Sequence, residues 1–369
     1  MTARKQKPTR RTIRVDLGKR SYPIRIGSDG LEGLGEAVAS RTNATQVAVV
    51  TVPSIGRRYA GAVMRSLRAA GLKAHRIDVP DGDSTKNLGQ IRKLYDAFLD
   101  RGLDRRSVLV ALGGGMVGDL TGFAAATYLR GIPFVQVPTT ILSMVDASIG
   151  GKTAVNLPKG KNLVGAFHQP CLVWIDTGTL ASLPRRDRAA GMAEIVKAGA
   201  IWDERYFARL ERECEGVMDL EPASLVPVLE RACRIKAEVV QQDERDESGV
   251  RALLNFGHTV AHAIESQMGY RRILHGEAVS IGMLHAARLS QALGLAPAGT
   301  ADRLEDLLAR LQLPTEIPRY DRKAHIAAIQ VDKKRVGAKV HYIVLRRIGR
   351  ADTVELTPAE ILPARRARG

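Results

Sequence analysis

The sequence is poor in aromatic residues, cysteine and acid. Phe, Trp and Tyr supply 4% of the 369 residues. No basic stretch is interleaved with aromatics on which bases could stack, which argues against nucleic-acid binding as the main function. The three cysteines, Cys171, Cys214 and Cys233, form no CxxC pair. That pattern supports neither a disulfide framework nor a cysteine zinc site, so they are read as reduced structural thiols. No apolar run approaches the roughly 18–20 residues that span a membrane. The basic start, MTARKQKPTRR, leads into no apolar segment of the secretory kind, and a cytoplasmic location is expected. Acidic residues number 39 against 56 basic ones, leaving a net charge of +17. Part of that excess sits at the ends, at Arg4, Lys5, Lys7, Arg10, Arg11, Arg365, Arg366 and Arg368. These read as solvated tails over residues 1–11 and 363–369, while the remaining charge suits small anionic substrates.

What is present is globular: 45% hydrophobic and 26% charged residues, in a chain longer than one core usually serves. Two domains are therefore expected. Strand signals at Thr12–Leu17, Tyr22–Ile26, Val47–Val52, His75–Val79, Ser107–Leu112, Phe134–Val137 and Leu172–Ile175 alternate with helical spacing at Arg57–Ala70 and Leu88–Leu99. The first two strands flank Gly18 and read as a hairpin. Beyond Pro184, helical stretches dominate at Arg186–Ile201, Leu225–Gln242, His258–Met268, Gly276–Ala292 and Thr300–Leu311, with Val340–Leu345 a late strand. The pattern predicts an α/β, Rossmann-like, doubly wound parallel-sheet domain over 12–180, followed by a mainly α-helical domain over 181–362.

Three constellations carry chemistry. The run SVLVALGGGMVGD (107–119) takes a buried strand into Gly113, Gly114 and Gly115, and a helix begins at once. Glycine admits a phosphate close to the backbone, and the helix start offers N–H groups and a positive dipole end. Gly113, Gly115 and Gly118 satisfy GxGxxG, though the segment does not open the sheet and no strand-end acid follows about 20 residues on. A second group is metal-capable: Glu194, His258, His262 and His275. His258 and His262 share a helix face at i, i+4, but Thr259 stands where a zincin has its glutamate. Two histidines with one carboxylate would make an open, catalytic style of zinc site. The third group is cationic, with Arg130, Lys152 and Lys161 in glycine-rich segments, Asn162 beside them, and Lys197 and Arg251 near the metal-capable residues. Such cations meet phosphate and carboxylate groups.

The segments GGGMVGDLTGFAAATYLRG, VPTTILSMVDASIGGKTAVNLPKGKNLVGAFHQP, AGMAEIVKAG, LLNFGHTVAHAIE and LHGEAVSIGM resemble, in order, the 3-dehydroquinate synthase family, and the likeness runs from about Arg14 to Leu345. The resemblance implies a phosphorus–oxygen lyase of the shikimate pathway of aromatic amino-acid biosynthesis. The reaction takes 3-deoxy-D-arabino-heptulosonate 7-phosphate to 3-dehydroquinate and phosphate by transient oxidation, phosphate β-elimination, re-reduction and aldol closure. It also implies NAD, a divalent zinc or cobalt ion, and a cytoplasmic homodimer. The implied metal ligands are Glu194, His258 and His275, with His262 beside them as a substrate contact. Cofactor contacts would be Asp81, Gly82, Asp83, Ser84, Thr85, Lys86, Gly113, Gly114, Gly115, Met116, Val117, Gly118, Asp119, Thr139, Thr140, Thr179, Leu180, Ala181 and Ser182, with Lys152 and Lys161 bordering cofactor and substrate. The implied substrate contacts are Arg130, Asp146, Lys152, Asn162, Lys197, Lys236, Arg251, Asn255 and His262, with Lys333 or its neighbour Lys334. Asp83 stands where the family pattern has glutamate, and Ala261 where it often has glycine.

Overall fold

Continuous apolar runs make strands buried on both faces. The computed structural model describes residues 10–28, 30–268, 272–316, 322–331, 335–336 and 339–362. In chain order its first strands are β1 (Arg11–Val15), β2 (Tyr22–Gly27), β3 (Gln46–Thr51), β4 (Lys73–Asp78), β5 (Val108–Gly113), β6 (Phe134–Pro138), β7 (Lys152–Leu157), β8 (Gly160–Phe167) and β9 (Leu172–Asp176). Seven join one sheet in the order β1-β2-β9-β6-β5-β3-β4. Every pairing in it is parallel except the expected β1–β2 hairpin, where Ile13 faces Ile24. Helices α1 (Leu34–Ala39), α2 (Gly61–Ala69), α3 (Leu88–Asp100) and α4 (Gly115–Thr127) cover the sheet. Alternation along β3 divides the core. Val47 and Val49 pack with Leu34 of α1 and Leu67 of α2, whereas Ala48 and Val50 pack with Leu94 of α3 and Leu120 of α4. That is the doubly wound arrangement the pattern predicts.

Two features differ from the sequence reading. The glycine-rich segments around Lys152 and Lys161, to which the sequence assigns no strand, form the antiparallel hairpin β7–β8. Its strands mix glycine with lysine and asparagine, so they carry little strand signal, and contacts elsewhere hold them. Asn156 N–H, for example, donates to the Lys86 carbonyl at 2.7 Å. Nor does the chain divide simply in linear order. It forms two compact units, one of Met1–Leu183 with Leu220–Arg245, the other of Pro184–Asp219 with Asp246–Gly369. Helices α5 (Arg185–Trp202) and α6 (Glu204–Met218) open the second unit, and α7 (Pro222–Gln242) belongs to the first. Helix α7, with Leu225, Leu229 and Cys233 buried, packs on β1, β2 and the turn Ser143–Ala147. Asp16 N–H donates to Gln241 at 2.8 Å, and Arg20 forks onto Glu244 at 3.1 and 2.6 Å.

The second unit continues with α8 (His258–Gln267), α9 (His275–Ala292), α10 (Thr300–Arg310), α11 (Arg322–Val331) and a small antiparallel sheet of β10 (Arg335–Val336), β11 (Lys339–Arg347) and β12 (Arg350–Leu356). The late strand of the sequence reading is thus β11 with partners. Helix α9 is central, with Ala278, Val279, Ile281, Met283 and Leu284 buried, and it packs on α5 and α8. Among the described residues no helix is long and apolar enough to cross a membrane.

Candidate active site

Each unit gathers one set of the expected side chains. In the first, β5 delivers Gly113 and Gly114 to the start of α4. Gly114 caps that helix at φ −75°, ψ −174° with no side-chain hydrogen bond, leaving the amides of Gly115, Met116 and Val117 to an anion. Gly118 sits one turn on, where an added Cβ would lie 2.8 Å from Gln136 Oε1. Thr139 follows β6 and donates its N–H to the Gly113 carbonyl at 3.0 Å, while its buried hydroxyl has no hydrogen-bond partner. The Thr140 hydroxyl lies 2.8 Å from Ser143 Oγ.

The loop after β4 carries the next group. Lys86 is buried, with its ammonium 2.7 Å from Asp119 Oδ2 on α4 and 2.5 Å from Asn162 Oδ1 on β8. Burial pushes the Asp119 carboxyl up to about 6, against the opposing pull of Lys86. Asp83 is exposed and meets Lys161 Nζ at 3.0 Å and Asn156 Nδ2 at 3.3 Å. Asp81 accepts from Ser54 at 2.9 Å, and Thr85 donates to the Gly82 carbonyl at 2.7 Å; Ser84 gives its carbonyl to Asn87. The β7–β8 hairpin is thereby clasped to this loop, which brings Lys161 and Asn162 to the residues beside α4.

Thr179, Leu180, Ala181 and Ser182 form a tight turn after β9. Thr179 and Leu180 are buried, and the Tyr59 hydroxyl donates to the Thr179 carbonyl at 2.9 Å. Asp146 forms an ion pair with Lys236 of α7, so two residues expected to touch substrate also meet each other. Lys152 is exposed at the start of β7. Arg130 is exposed too, held at φ +68° between Leu129 at +49° and Gly131 at +117°. Non-glycine residues rarely occupy this region, at about 1–3 kcal/mol each, and such strain clusters at functional sites.

In the second unit, α5 supplies Glu194, α8 opens with His258 and α9 opens with His275. Their ligand atoms all lie within 4.8 Å of one another. Two close backbone approaches set this arrangement. A Cβ at Gly276 would lie 1.8 Å from the Ala190 carbonyl oxygen on α5, and one at Gly282 would lie 2.0 Å from the carbonyl of Gly257, the residue before His258. Only glycine lets α9 approach both neighbours so closely.

The donor set fits a divalent ion. Glu194 is buried at 3% exposure, and its Oε2 is paired with Lys197. Its Oε1 is buried without a hydrogen bond, yet faces His258 Nε2 at 3.6 Å and His275 Nε2 at 3.9 Å. Those separations are too long for hydrogen bonds. They are close to the roughly 3.4 Å between donors bonded at about 2.1 Å to one tetrahedral ion. Burial and the Lys197 charge hold the His258 imidazole well below its ordinary value, hence neutral. Burial would lower His275 also, but Glu265 and Glu194 outweigh it and raise its value.

His262 stands beside the trio, exposed, its ring centroid 5.5 Å from that of His258 and 6.4 Å from that of His275. The i, i+4 pair of the sequence therefore shares a helix face, while the close group joins His258 to residues of two other helices. Arg251 is buried in the turn Arg251–Asn255, where Asn255 donates to the Ala252 carbonyl at 3.0 Å. Lys333 and Lys334 lie outside the described residues. Sequence reasoning did not single out Glu265, whose carboxylate lies 3.3 Å from His275 Nδ1. The available signal was its place seven residues after His258 and three after His262, on the face those histidines share.

Comparison with known proteins covers both units. The family description 3-dehydroquinate synthase N-terminal matches residues 76–190, and 3-dehydroquinate synthase C-terminal matches residues 191–335. The 3-dehydroquinate synthase of Desulforamulus reducens is 46% identical over 353 residues, covering 95% of this chain and 98% of that relative. Among solved structures, the 2-epi-5-epi-valiolone synthase ValA of Streptomyces hygroscopicus, with NAD+ and Zn2+ bound, superposes with a TM-score of 0.85 at 29% identity, covering 94% and 96% of the two chains. A 2-deoxy-scyllo-inosose synthase complexed with carbaglucose-6-phosphate, NAD+ and Co2+ gives 0.85 at 26%, covering 95% and 98%.

Proposed function

The chain belongs to the 3-dehydroquinate synthase family and carries that family's reaction, and we propose that it performs it with NAD and one divalent ion, zinc or cobalt. The observation that carries the metal assignment is the buried Glu194 Oε1, unbonded and faced by two imidazole nitrogens. The uncapped start of α4 and the partnerless Thr139 hydroxyl support NAD, as do the solved relatives that hold NAD+ with Zn2+ or Co2+.

When bound, NAD supplies reversible hydride transfer at the substrate's C5 and the divalent ion supplies a Lewis acid for the C5 hydroxyl. Glu194, His258 and His275 would hold the ion, with Lys197 neutralising the second oxygen of Glu194. The amides of Gly115, Met116 and Val117 would receive the dinucleotide phosphates, while Lys86, Asp119 and Thr139 border the same turn. Lys152 and Arg251 clamp the phosphate and carboxylate ends of the substrate, and Arg130, Asn162, Lys236 and Asn255 orient it. His262 handles a proton at a substrate hydroxyl. A cytoplasmic location, suited to a biosynthetic enzyme, and the homodimer that the family resemblance implies complete the proposal; a solution mass of one chain would remove the dimer.

The test is phosphate release from the heptulosonate phosphate, with and without chelator, while NADH absorbance is followed. The expected result is release that chelation abolishes and added metal restores, with no accumulation of NADH. Stoichiometric NADH would identify a net dehydrogenase instead, and undiminished release after chelation would remove the metal. Equal turnover of an uncarboxylated heptulose 7-phosphate would assign the chain to a sister cyclase.

A further inference from the structure

Glu265 lies on α8, seven residues after His258 and three after His262, so the three share one helix face. Its carboxylate is buried at 6% exposure. A buried carboxylate is costly unless its charge is met, and Glu265 Oε1 lies 3.3 Å from His275 Nδ1. His258 is supported differently: its Nδ1 lies 3.2 Å from the backbone carbonyl of Phe256. With Nδ1–H donating in both rings, both Nε2 lone pairs point towards Glu194. The two acceptors are unlike, a neutral amide behind His258 and an anion behind His275. His275 also needs more support, since its side chain is 31% exposed against 12% for His258.

We infer that Glu265 is a positioning residue: it fixes the tautomer and ring orientation of His275 and strengthens that imidazole as a donor, so that divalent-ion affinity depends on it. This rests on the reading that Glu194, His258 and His275 hold the ion. An outer carboxylate of this kind is generally worth about 10–100-fold in metal affinity. Glutamine at the position keeps an acceptor oxygen and loses the charge, so it separates orientation from electrostatics.

The experiment measures Zn2+ affinity by competition with a chromophoric chelator, and the visible spectrum of the Co2+-loaded protein. Parent, Glu265→Gln, Glu265→Ala and His275→Ala are compared, with apo melting temperatures alongside. The expected result is about 10–100-fold weaker Zn2+ binding in Glu265→Ala, an intermediate loss in Glu265→Gln, and a shifted Co2+ band in both. Should Glu265→Ala fail to fold, the isosteric Glu265→Gln carries the comparison. A folded Glu265→Gln with parental Zn2+ affinity and an unchanged Co2+ spectrum would overturn the inference. A parent that binds Zn2+ no better than His275→Ala would instead overturn the metal site itself.

Discussion

Gly276→Ala is the sharpest perturbation of the metal-capable trio, because it alters spacing without touching a ligand. The new Cβ would lie 1.8 Å from the Ala190 carbonyl oxygen, 2.5 Å from its carbon and 2.8 Å from its Cα. All three are backbone atoms, so no side chain can swing aside. Ordinary contact needs roughly 3.5 Å, so the first turn of α9 must part from α5 by about 1.5 Å. Overpacking of this kind typically costs about 1–3 kcal/mol, enough to lower the melting temperature by several degrees. Glu194 lies four residues beyond Ala190, and His275 immediately precedes Gly276. The displacement therefore reaches the 3.9 Å gap between Glu194 Oε1 and His275 Nε2 almost undiluted. Metal bonds tolerate only about 0.2 Å, so the ion would lose its hold on one ligand. Zn2+ affinity, read by chelator competition, should fall at least as far as the roughly 10–100-fold caused by losing an outer partner. Gly61→Ala is the control, since its Cβ would meet nothing nearer than the tip of Arg65 at 3.5 Å. That helix position should gain up to about 1 kcal/mol. A Gly276→Ala protein that melts and binds Zn2+ like its parent would refute the reasoning.

Two further outcomes are expected. Asp119 titrates at about 6 rather than its ordinary 3.8, mainly because it is buried. The folded protein therefore keeps a proton that the unfolded chain releases. This contribution is fully present below about pH 4 and is lost as pH rises through 6, about 3 kcal/mol in all. Asp119→Asn should flatten that part of the stability–pH curve in urea unfolding, and a variant curve parallel to the parent's would refute it. Lys152→Met should lower turnover by about 10²–10³-fold with an unchanged melting temperature; unchanged turnover would take Lys152 out of the active site.

The sheet was legible because its strands announce themselves one at a time. Val47, Val49 and Val50 belong to a continuous apolar run of the length a doubly covered strand requires, and the glycines at 113–115 mark where β5 ends and α4 begins. The β7–β8 hairpin was illegible for the opposite reason. Leu163 and Phe167 are exposed, Val155 with the partly buried Val164 and Ala166 joins the core, and the rest of the anchoring is a set of polar links from Asn156, Lys161 and Asn162 to the loop at 83–86. Such links have no period along a chain. Helix α7 shows a third case: its apolar stripe announces a buried face but not which surface buries it. The β1–β2 hairpin and the turn Ser143–Ala147 answer that.

The metal-capable trio divides in the same way. Spacing pairs His258 with His262, because proximity within a single helix is the only kind that spacing along the chain expresses. The group that forms uses three helices, and its precision comes from where two of them start. His258 follows Gly257 and His275 precedes Gly276, each histidine being the first residue of its helix. A side chain at that position is aimed by the helix start, and the helix start is aimed by its nearest backbone contact. Where that contact is a backbone atom far inside ordinary contact distance of any added Cβ, the Ala190 carbonyl oxygen at 1.8 Å for Gly276 and the Met283 nitrogen at 2.6 Å for Gly257, glycine is required, and histidine beside glycine becomes a placement signal rather than a turn. Read this way, the GH at 257–258 and the HG at 275–276 jointly specify that α9 must touch both other ligand-bearing segments. Glu265 then follows, as the one carboxylate on the His258 face of α8 that reaches the far nitrogen of the second histidine.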